Sequence, residues 1–423
     1  MKKFALLLSI VMLVTSFITG CDAGTKEEGP VTITYYGRPD EKGFETKVIE
    51  QFEKENANIK VNYVELPEST DKKLQTINTI LQAKESSMDV FVGDVVWTPI
   101  FAGADWVLPL DEYLTDEEIK EHTPGSMAAY KYNNNVYGIP FFTDGGMLYY
   151  RKDLLKKYNK EVPATWNELV ETTKYIIEQE KNPNLYGYAG SWKQYEGVTC
   201  NLTELVWSHG GDFLDEKGNI VFNSPETIEA VKLMGDMVIK EKITPPGISN
   251  FGSGDVRNLF ANGQLIFSRD WPTFAKKADS MEGSKVVGNV GYTVLPTVKG
   301  GKNYSTLGGW GVMVSNFSEH KEEAVKFAKF RSSLQIQKQE ALGLAHLPTR
   351  IALYKDEDVK KALPFAADMY PVMMSTKPRP QSPYYAELSG ILQLETQNVI
   401  TGKKTAEEAV KYAEEKMKQV LGQ

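Results

Sequence analysis

The strongest constraint on how this chain folds is a regular exchange of strand and helix patterns near its start. "VTITYYG" (Val31 to Gly37) is β-branched and aromatic and stops at glycine, which predicts a strand. "FETKVIEQFEKEN" then carries Phe44, Val48, Ile49 and Phe52 at helical spacing. "IKVNYVEL" (Ile59 to Leu66) predicts a second strand, residues 71 to 84 a helix with Leu74, Ile77 and Leu81 on one face, and "MDVFVGD" (Met88 to Asp94) a third strand. This order implies an α/β protein with a largely parallel sheet covered by helices on both faces. Such sheets collect ligands in loops at the carboxyl ends of their strands, where Arg38 to Glu41 and Asp94 to Trp97 lie.

Later signals are local. In "ATWNEL", Thr165 with Glu168 three residues on predicts a capping box and a helix start. "DFLDEKGNIVFNSPETIEAVKLM" predicts a hairpin turning at Lys217-Gly218 and a helix entered through Ser224 and Pro225. Residues 319 to 341 and 404 to 420 are long, charged and helical in pattern. About 400 residues is too many for one ordinary core and suggests two domains.

The first 20 residues stand apart. Lys2 and Lys3 precede an apolar run from Phe4 to Thr19 that is too short and too rich in hydroxyls for a membrane span, and small residues follow. That is the build of a secretory signal, and its end, "ITGC", resembles the bacterial lipobox, with Cys21 as the acylated residue and 21-30 as a polar tether. Losing Lys2 and Lys3 takes the formal charge from −8 to −10, which argues against a nucleic-acid partner. Cys200 is then the one remaining thiol and reads as a small buried hydrophobe. His122, His209, His320 and His346 are scattered, fit no metal-ligand spacing, and read as surface or helix-end residues. Phosphate-loop and nucleophile-elbow motifs are absent, so neither a metal nor a cofactor is expected.

"YGIPFFTDGGMLYYRKDLLKKYNKEVPATWNEL" (Tyr137 to Leu169) resembles the signature region of the bacterial extracellular solute-binding proteins of family 1, the maltose- and trehalose-binding-like receptors of ATP-binding-cassette (ABC) importers. "GGDFLDEKGNIVFNSPETIEAV", "GYTVLPTVKGGKNYSTLGGWGVMVS" and "GKKTAEEAVKYAEEKMKQVL" resemble the same family in the same order, from about residue 31 to 420. The resemblance implies a two-lobed periplasmic-binding-protein-like fold (type II), with two mixed-sheet lobes joined by a multi-crossing hinge. By that analogy residues 31-138 plus 291-340 form the N-terminal lobe and 139-290 plus 341-423 the C-terminal lobe. A di- or oligosaccharide would lie between the lobes and hold them closed, and a membrane-bound ABC permease would read the closed form. The receptor itself would be a lipid-anchored monomer on the extracytoplasmic face, without catalysis of its own.

A pyranose offers an apolar face for aromatic rings and a rim of hydroxyls for carboxylates and guanidinium groups. Trp271 in "SRDWPTF" and Trp310 in "LGGWGVM" fall where the family places stacking tryptophans, with Gly308 and Gly309 allowing close approach. Asp94 and Asp144 match positions that bind sugar hydroxyls; Glu41 and Arg379 are further carry-overs, and Arg38 and Tyr195 are expected at the cleft edge. Trp310 and Asp94 would come from the first lobe, and Trp271, Asp144 and Arg379 from the second. Phe142 stands where some disaccharide-binding relatives have Tyr. Two rival readings are an anchored glycoside hydrolase, with its acid and base drawn from Asp94, Asp144 and Glu41, and a receptor for a non-sugar solute.

Overall fold

Val31–Gly37 (β1), Ile59–Glu65 (β2) and Val90–Asp94 (β3) are the strands that the opening alternation predicts, and they run parallel in the order β2-β1-β3. The computed structural model describes residues 29–215, 217–369, 372–373 and 376–423, so the signal segment and Cys21 lie outside the described residues. Between the strands, Phe44–Glu55 (α1) buries Val48, Ile49 and Phe52, and Thr70–Gln82 (α2) buries Leu74, Ile77 and Leu81. Each of those apolar side chains contributes roughly 1.5–3 kcal/mol by leaving water, which fixes the helix faces against the sheet.

A short hairpin follows, Lys131–Tyr132 (β4) with Asn135–Val136 (β5). Its two turn residues, Asn133 and Asn134, both adopt the left-handed conformation that a two-residue hairpin requires. The remaining strands are Ile139–Gly145 (β6), Met147–Arg151 (β7), Tyr186–Ala189 (β8), Leu265–Asp270 (β9), Val290–Thr293 (β10), Ser305–Val314 (β11) and Thr376–Lys377 (β12). The first sheet has the order β12-β11-β3-β1-β2 with β6 also on β11, and the second has the order β10-β7-β9-β8. Each sheet has its own hydrophobic core, one around Phe52, Ile77, Val92 and Phe327, the other around Trp166, Val206, Ile266 and Leu392.

Both sheets are mixed. β11 runs antiparallel to β3 and to β6, because it enters the first sheet from the second lobe rather than through a crossover helix on its own face. The parallel reading therefore holds for β1 to β3 and fails for the strands next to the hinge. The chain passes between the sheets at Gly145–Gly146, where β6 gives way to β7, and again between Thr293 and Ser305. The return expected at 291 thus lies later, since β10 still pairs with β7. Residues 345–350 run beside β6, with the Thr143 amide donating to the Leu347 carbonyl at 2.9 Å.

Local capping signals are realised in detail. Thr165 and Glu168 form the capping box of Trp166–Glu180, and Ser224 caps Pro225–Ile239 with its hydroxyl accepting from the Thr227 amide at 3.2 Å. The single helix expected over 319 to 341 is two, Lys321–Arg331 and Leu334–Leu344, because Ser332 ends the first and Ser333 caps the second. Buried Arg331 joins them: it donates to Glu45 of α1 at 2.7 and 3.0 Å and to Glu340 at 2.9 Å, and Glu340 pairs in turn with His346 at 2.8 Å. His122 and His346 are therefore interior residues, 3% and 4% exposed, rather than surface ones.

Candidate functional site

The site is organised by β11. In register with β3, Trp310 stands opposite Asp94; in register with β6, Trp310 stands opposite Phe142 and Gly308 opposite Asp144. Opposed residues, and residues two apart on a strand, share a sheet face. Asp144, Phe142, Trp310 and Asp94 accordingly line one face, with Gly308 leaving a gap among them. The Trp271 indole of the second lobe fills that gap: a Cβ on Gly308 would come within 2.8 Å of its Cζ3 and 3.0 Å of the Asp144 Cβ. Gly309 holds φ at +130°, and a Cβ there would meet the Phe142 carbonyl oxygen at 2.6 Å, so both glycines are required by the geometry.

Trp310 is half-buried, with the edge-on ring of Trp97 5.3 Å away. Two cations flank it, the Arg38 guanidinium at 5.6 Å and the Lys73 ammonium at 5.4 Å from the ring centre. Lys73 is 3% exposed and donates to the Glu68 carbonyl at 2.6 Å; burial, helped by Arg38, pushes its pKa down to about 8. Sequence reading missed Lys73, although a lysine four residues before Ile77 on the apolar stripe of α2 was a legible signal. Phe142 is buried and stacks on His346 with ring centres 4.1 Å apart, and the Arg38 guanidinium lies 4.8 Å from its ring centre.

Asp144 sits on β6 in the first sheet, not in the second lobe as expected, because the crossing comes after Gly145. The residue is 9% exposed, and among the described residues its buried Oδ1 has no hydrogen-bond partner. Burial pushes its pKa up to about 7 against the opposing pull of Arg38, Arg257 and Arg269. Arg257 and Arg269 are committed elsewhere, to Asp270 at 2.7 and 2.8 Å and to Glu204 at 2.5 and 2.8 Å. The Arg269 guanidinium also lies 3.9 Å from the Trp271 ring centre and covers one side of that indole. Tyr195 precedes the helix Glu196–His209, and its hydroxyl lies 3.2 Å from the Ser253 hydroxyl.

At the other end of the row, Arg379 bridges the lobes. It donates to Asp94 at 2.8 Å and to Glu196, whose carboxylate also accepts from Tyr385 and, at 2.7 Å, from Ser389. Burial raises the Asp94 carboxyl, and the guanidinium opposes that rise. A cavity of about 400 Å3 lies beside this cluster, lined by Asp71, Trp97, Glu196, Tyr385 and Gln393 among others. Glu41 is placed differently: it pairs with Lys277 at 2.8 Å on the rim. The fold thus gathers Arg38, Asp94, Asp144, Trp271, Gly309, Trp310 and Arg379, sets Tyr195 one ion pair away, and leaves Glu41 at the margin. Glu196 and Lys73 join them without having been anticipated.

Such a row offers stacking surfaces, acceptors and donors, while the thiol of Cys200 is buried and pushed up to about 12, too high to act as a nucleophile. Among the described residues no group of three His, Cys, Asp or Glu side chains could hold a metal ion. Two α/β lobes linked by strands that pass from sheet to sheet, with aromatic and polar side chains converging between them, define a two-lobed solute-binding protein. The chain belongs to the bacterial extracellular solute-binding protein family, whose sequence model matches residues 38–338. A probable ABC transporter-binding protein of Deinococcus radiodurans is 32% identical over 100% of this chain and 99% of its own length. The maltotriose-binding protein of Pyrococcus abyssi is 26% identical over 79% of this chain and 71% of its own length. Maltose-bound MalE3 of T. maritima superposes with a TM-score of 0.86 at 35% identity, covering 92% of this chain and 100% of that one.

Proposed function

We propose that this protein is an extracytoplasmic receptor that captures a di- or oligosaccharide between its lobes and presents it to an ABC permease. The observation that carries this reading is the row on β6, β11 and β3, where two indoles stand among two carboxylates and two guanidinium groups. Indole faces suit the C–H face of a pyranose, and Asp144, whose Oδ1 has no partner among the described residues, suits a donating hydroxyl. The similarity to maltose-bound MalE3 and to the maltotriose-binding protein makes α-linked glucose units the first ligands to test. Arg38, Asp94, Gly309, Arg379 and Tyr195 are proposed to complete the contacts, Glu41 to act at the rim, and Cys21 to carry the lipid tether. The lobes are proposed as residues 31 to about 145 with about 305 to 350 and the strand β12, and the remainder.

Two of the carboxylates considered for hydrolysis are in ion pairs, Asp94 with Arg379 and Glu41 with Lys277, which leaves Asp144 as the one of the three outside an ion pair, whereas glycosidic hydrolysis calls for two working carboxyl groups. The test is thermal unfolding and calorimetric titration with maltose, maltotriose, trehalose and mannitol, against amino acids as controls. Ligand at 100 times its dissociation constant adds about 2.7 kcal/mol. For about 400 residues that is a rise of about 3 °C in Tm. Trp310→Ala should abolish the rise without changing the Tm of the free protein by more than about 2 °C. A shift with amino acids and none with sugars would overturn the carbohydrate reading.

A further inference from the structure

We infer that Lys276 and Lys277 are positioning residues that clasp the first lobe and the hinge when the cleft closes, setting how long a ligand is held rather than how fast it arrives. Both project from the helix Phe274–Ser280, which follows Trp271 in the second lobe. Lys277 pairs at 2.8 Å with Glu41, which opens the 3-10 turn Glu41–Gly43 at the end of β1 in the first lobe. Lys276 donates at 3.1 Å to the carbonyl of Leu342, in the last turn of Leu334–Leu344, the helix that leads into the hinge segment 345–350. The first lobe reaches the same helix end, where the Lys42 ammonium lies 3.5 Å from the Gly343 carbonyl.

The carbonyl end of that helix carries partial negative charge and attracts cations. One lysine from each lobe therefore converges on the hinge helix, and the ion pair to Glu41 joins the lobes beside it. Lys42 and Gly43 both adopt left-handed backbone, with φ of 57° and 68°, which turns Glu41 and Lys42 toward this junction. The groups are partly exposed, 31% for Lys277 and 33% for Glu41, so each contact is weak and salt-sensitive. The Lys277 and Lys276 contacts form only when the lobes meet, and they add to the closed state whatever lies in the cleft.

The effect on ligand release rests on the receptor reading, whereas the effect on the ligand-free protein does not. The first assay is stopped-flow tryptophan fluorescence with maltose at low ionic strength. Lys277→Gln should raise the dissociation rate about threefold, and Lys276→Gln with Lys277→Gln about tenfold, equivalent to about 1.4 kcal/mol. Association rates should stay within about twofold. At 0.5 M salt the parent should release maltose nearly as fast as the variants. Exchanging the charges, Glu41→Lys with Lys277→Glu, should restore most of the parent's slow release, which a Glu41 that contacts the sugar directly would not permit. The second assay uses spin labels on Lys54→Cys and Lys240→Cys in a Cys21→Ser background and reads the inter-lobe distance without ligand. The closed population should fall with Lys277→Gln and recover in the exchanged pair. Unchanged release and distances in Lys277→Gln, or an exchanged pair as fast as the single variant, would refute the clasp. If the parent does not bind maltose, the ligand-free distances still decide it.

Discussion

Replacing Asp144 by Asn should make this protein progressively more stable than the parent as pH rises. The residue is 9% exposed, and burial moves its carboxyl pKa from 3.8 to about 7. A raised carboxyl pKa means that the folded state binds the proton more tightly than the unfolded state does. Between pH 4 and 7 the folded parent therefore holds protons that the unfolded chain has lost, and its stability falls as pH rises through that window. From pH 5 to about 7 this is two pH units at about 1.36 kcal/mol each, about 2.7 kcal/mol as an upper figure. Unfolding entropy of about 2.1 cal/mol/K per residue over about 400 residues turns that into roughly 3 °C. The asparagine does not titrate, so any fixed cost of its amide cancels when the variant-minus-parent difference in Tm is followed from pH 5 to pH 8. The assay is scanning calorimetry without ligand at four or five pH values. A difference that stays flat across the range would refute the reasoning, because it would mean that Asp144 is ionised in the folded protein at every pH tested. With ligand the sign reverses: a sugar hydroxyl that donates to Asp144 favours the ionised carboxylate, so maltose should bind more tightly at pH 8 than at pH 5.5, and Asp144→Asn should remove that dependence.

Other changes test the frame around the site. Gly309→Ala forces φ of +130° on a residue with a Cβ and drives that atom to 2.6 Å from the Phe142 carbonyl, so it should cost about 1–3 kcal/mol in denaturant unfolding and weaken sugar binding by displacing Trp310. Arg331→Met leaves Glu45 and Glu340 facing each other without their cation; a loss of about 3–5 kcal/mol, or about 4–6 °C in Tm, is expected, and a loss below 1 kcal/mol would mean that the network relaxes readily. Lys73→Met should weaken sugar binding while leaving Tm within about 2 °C, since it keeps the side-chain volume under Trp310 and removes the donor.

The buried polar residues hold the first lobe in one shape. Arg331, Glu45, Glu340 and His346 lock α1, both helices after β11 and the hinge segment into one body by charge-assisted hydrogen bonds. Between the lobes, Thr306 at the start of β11 bonds to Thr203, Glu204 and Cys200, the Asp94–Arg379–Glu196 bridge adds a second buried link, and the Glu41–Lys277 pair is partly exposed.

What the sequence determined by itself is whatever depends on neighbours within a few residues. Apolar spacing settled α1 and α2 and the parallel strands beside them, and the Thr165–Glu168 and Ser224 caps fell where written, because a cap or an amphipathic face is complete within one turn of helix. Family pattern singled out Trp271, Trp310, Asp94, Asp144 and Arg379 as candidates. Tertiary structure alone decided how they meet. Register between β11, β6 and β3 places Asp144 on the first sheet beside Trp310, and it arises from hydrogen bonds between segments more than 150 residues apart. Burial decided the rest: Lys73, Glu196, His122 and His346 look like ordinary polar residues in the chain, and only the packing that removes water from around them turns them into a cation beside an indole, a partner for Arg379 and two interior histidines. Desolvation depends on everything within several ångströms of a group, whatever its distance along the chain, and so it cannot be read from a linear pattern.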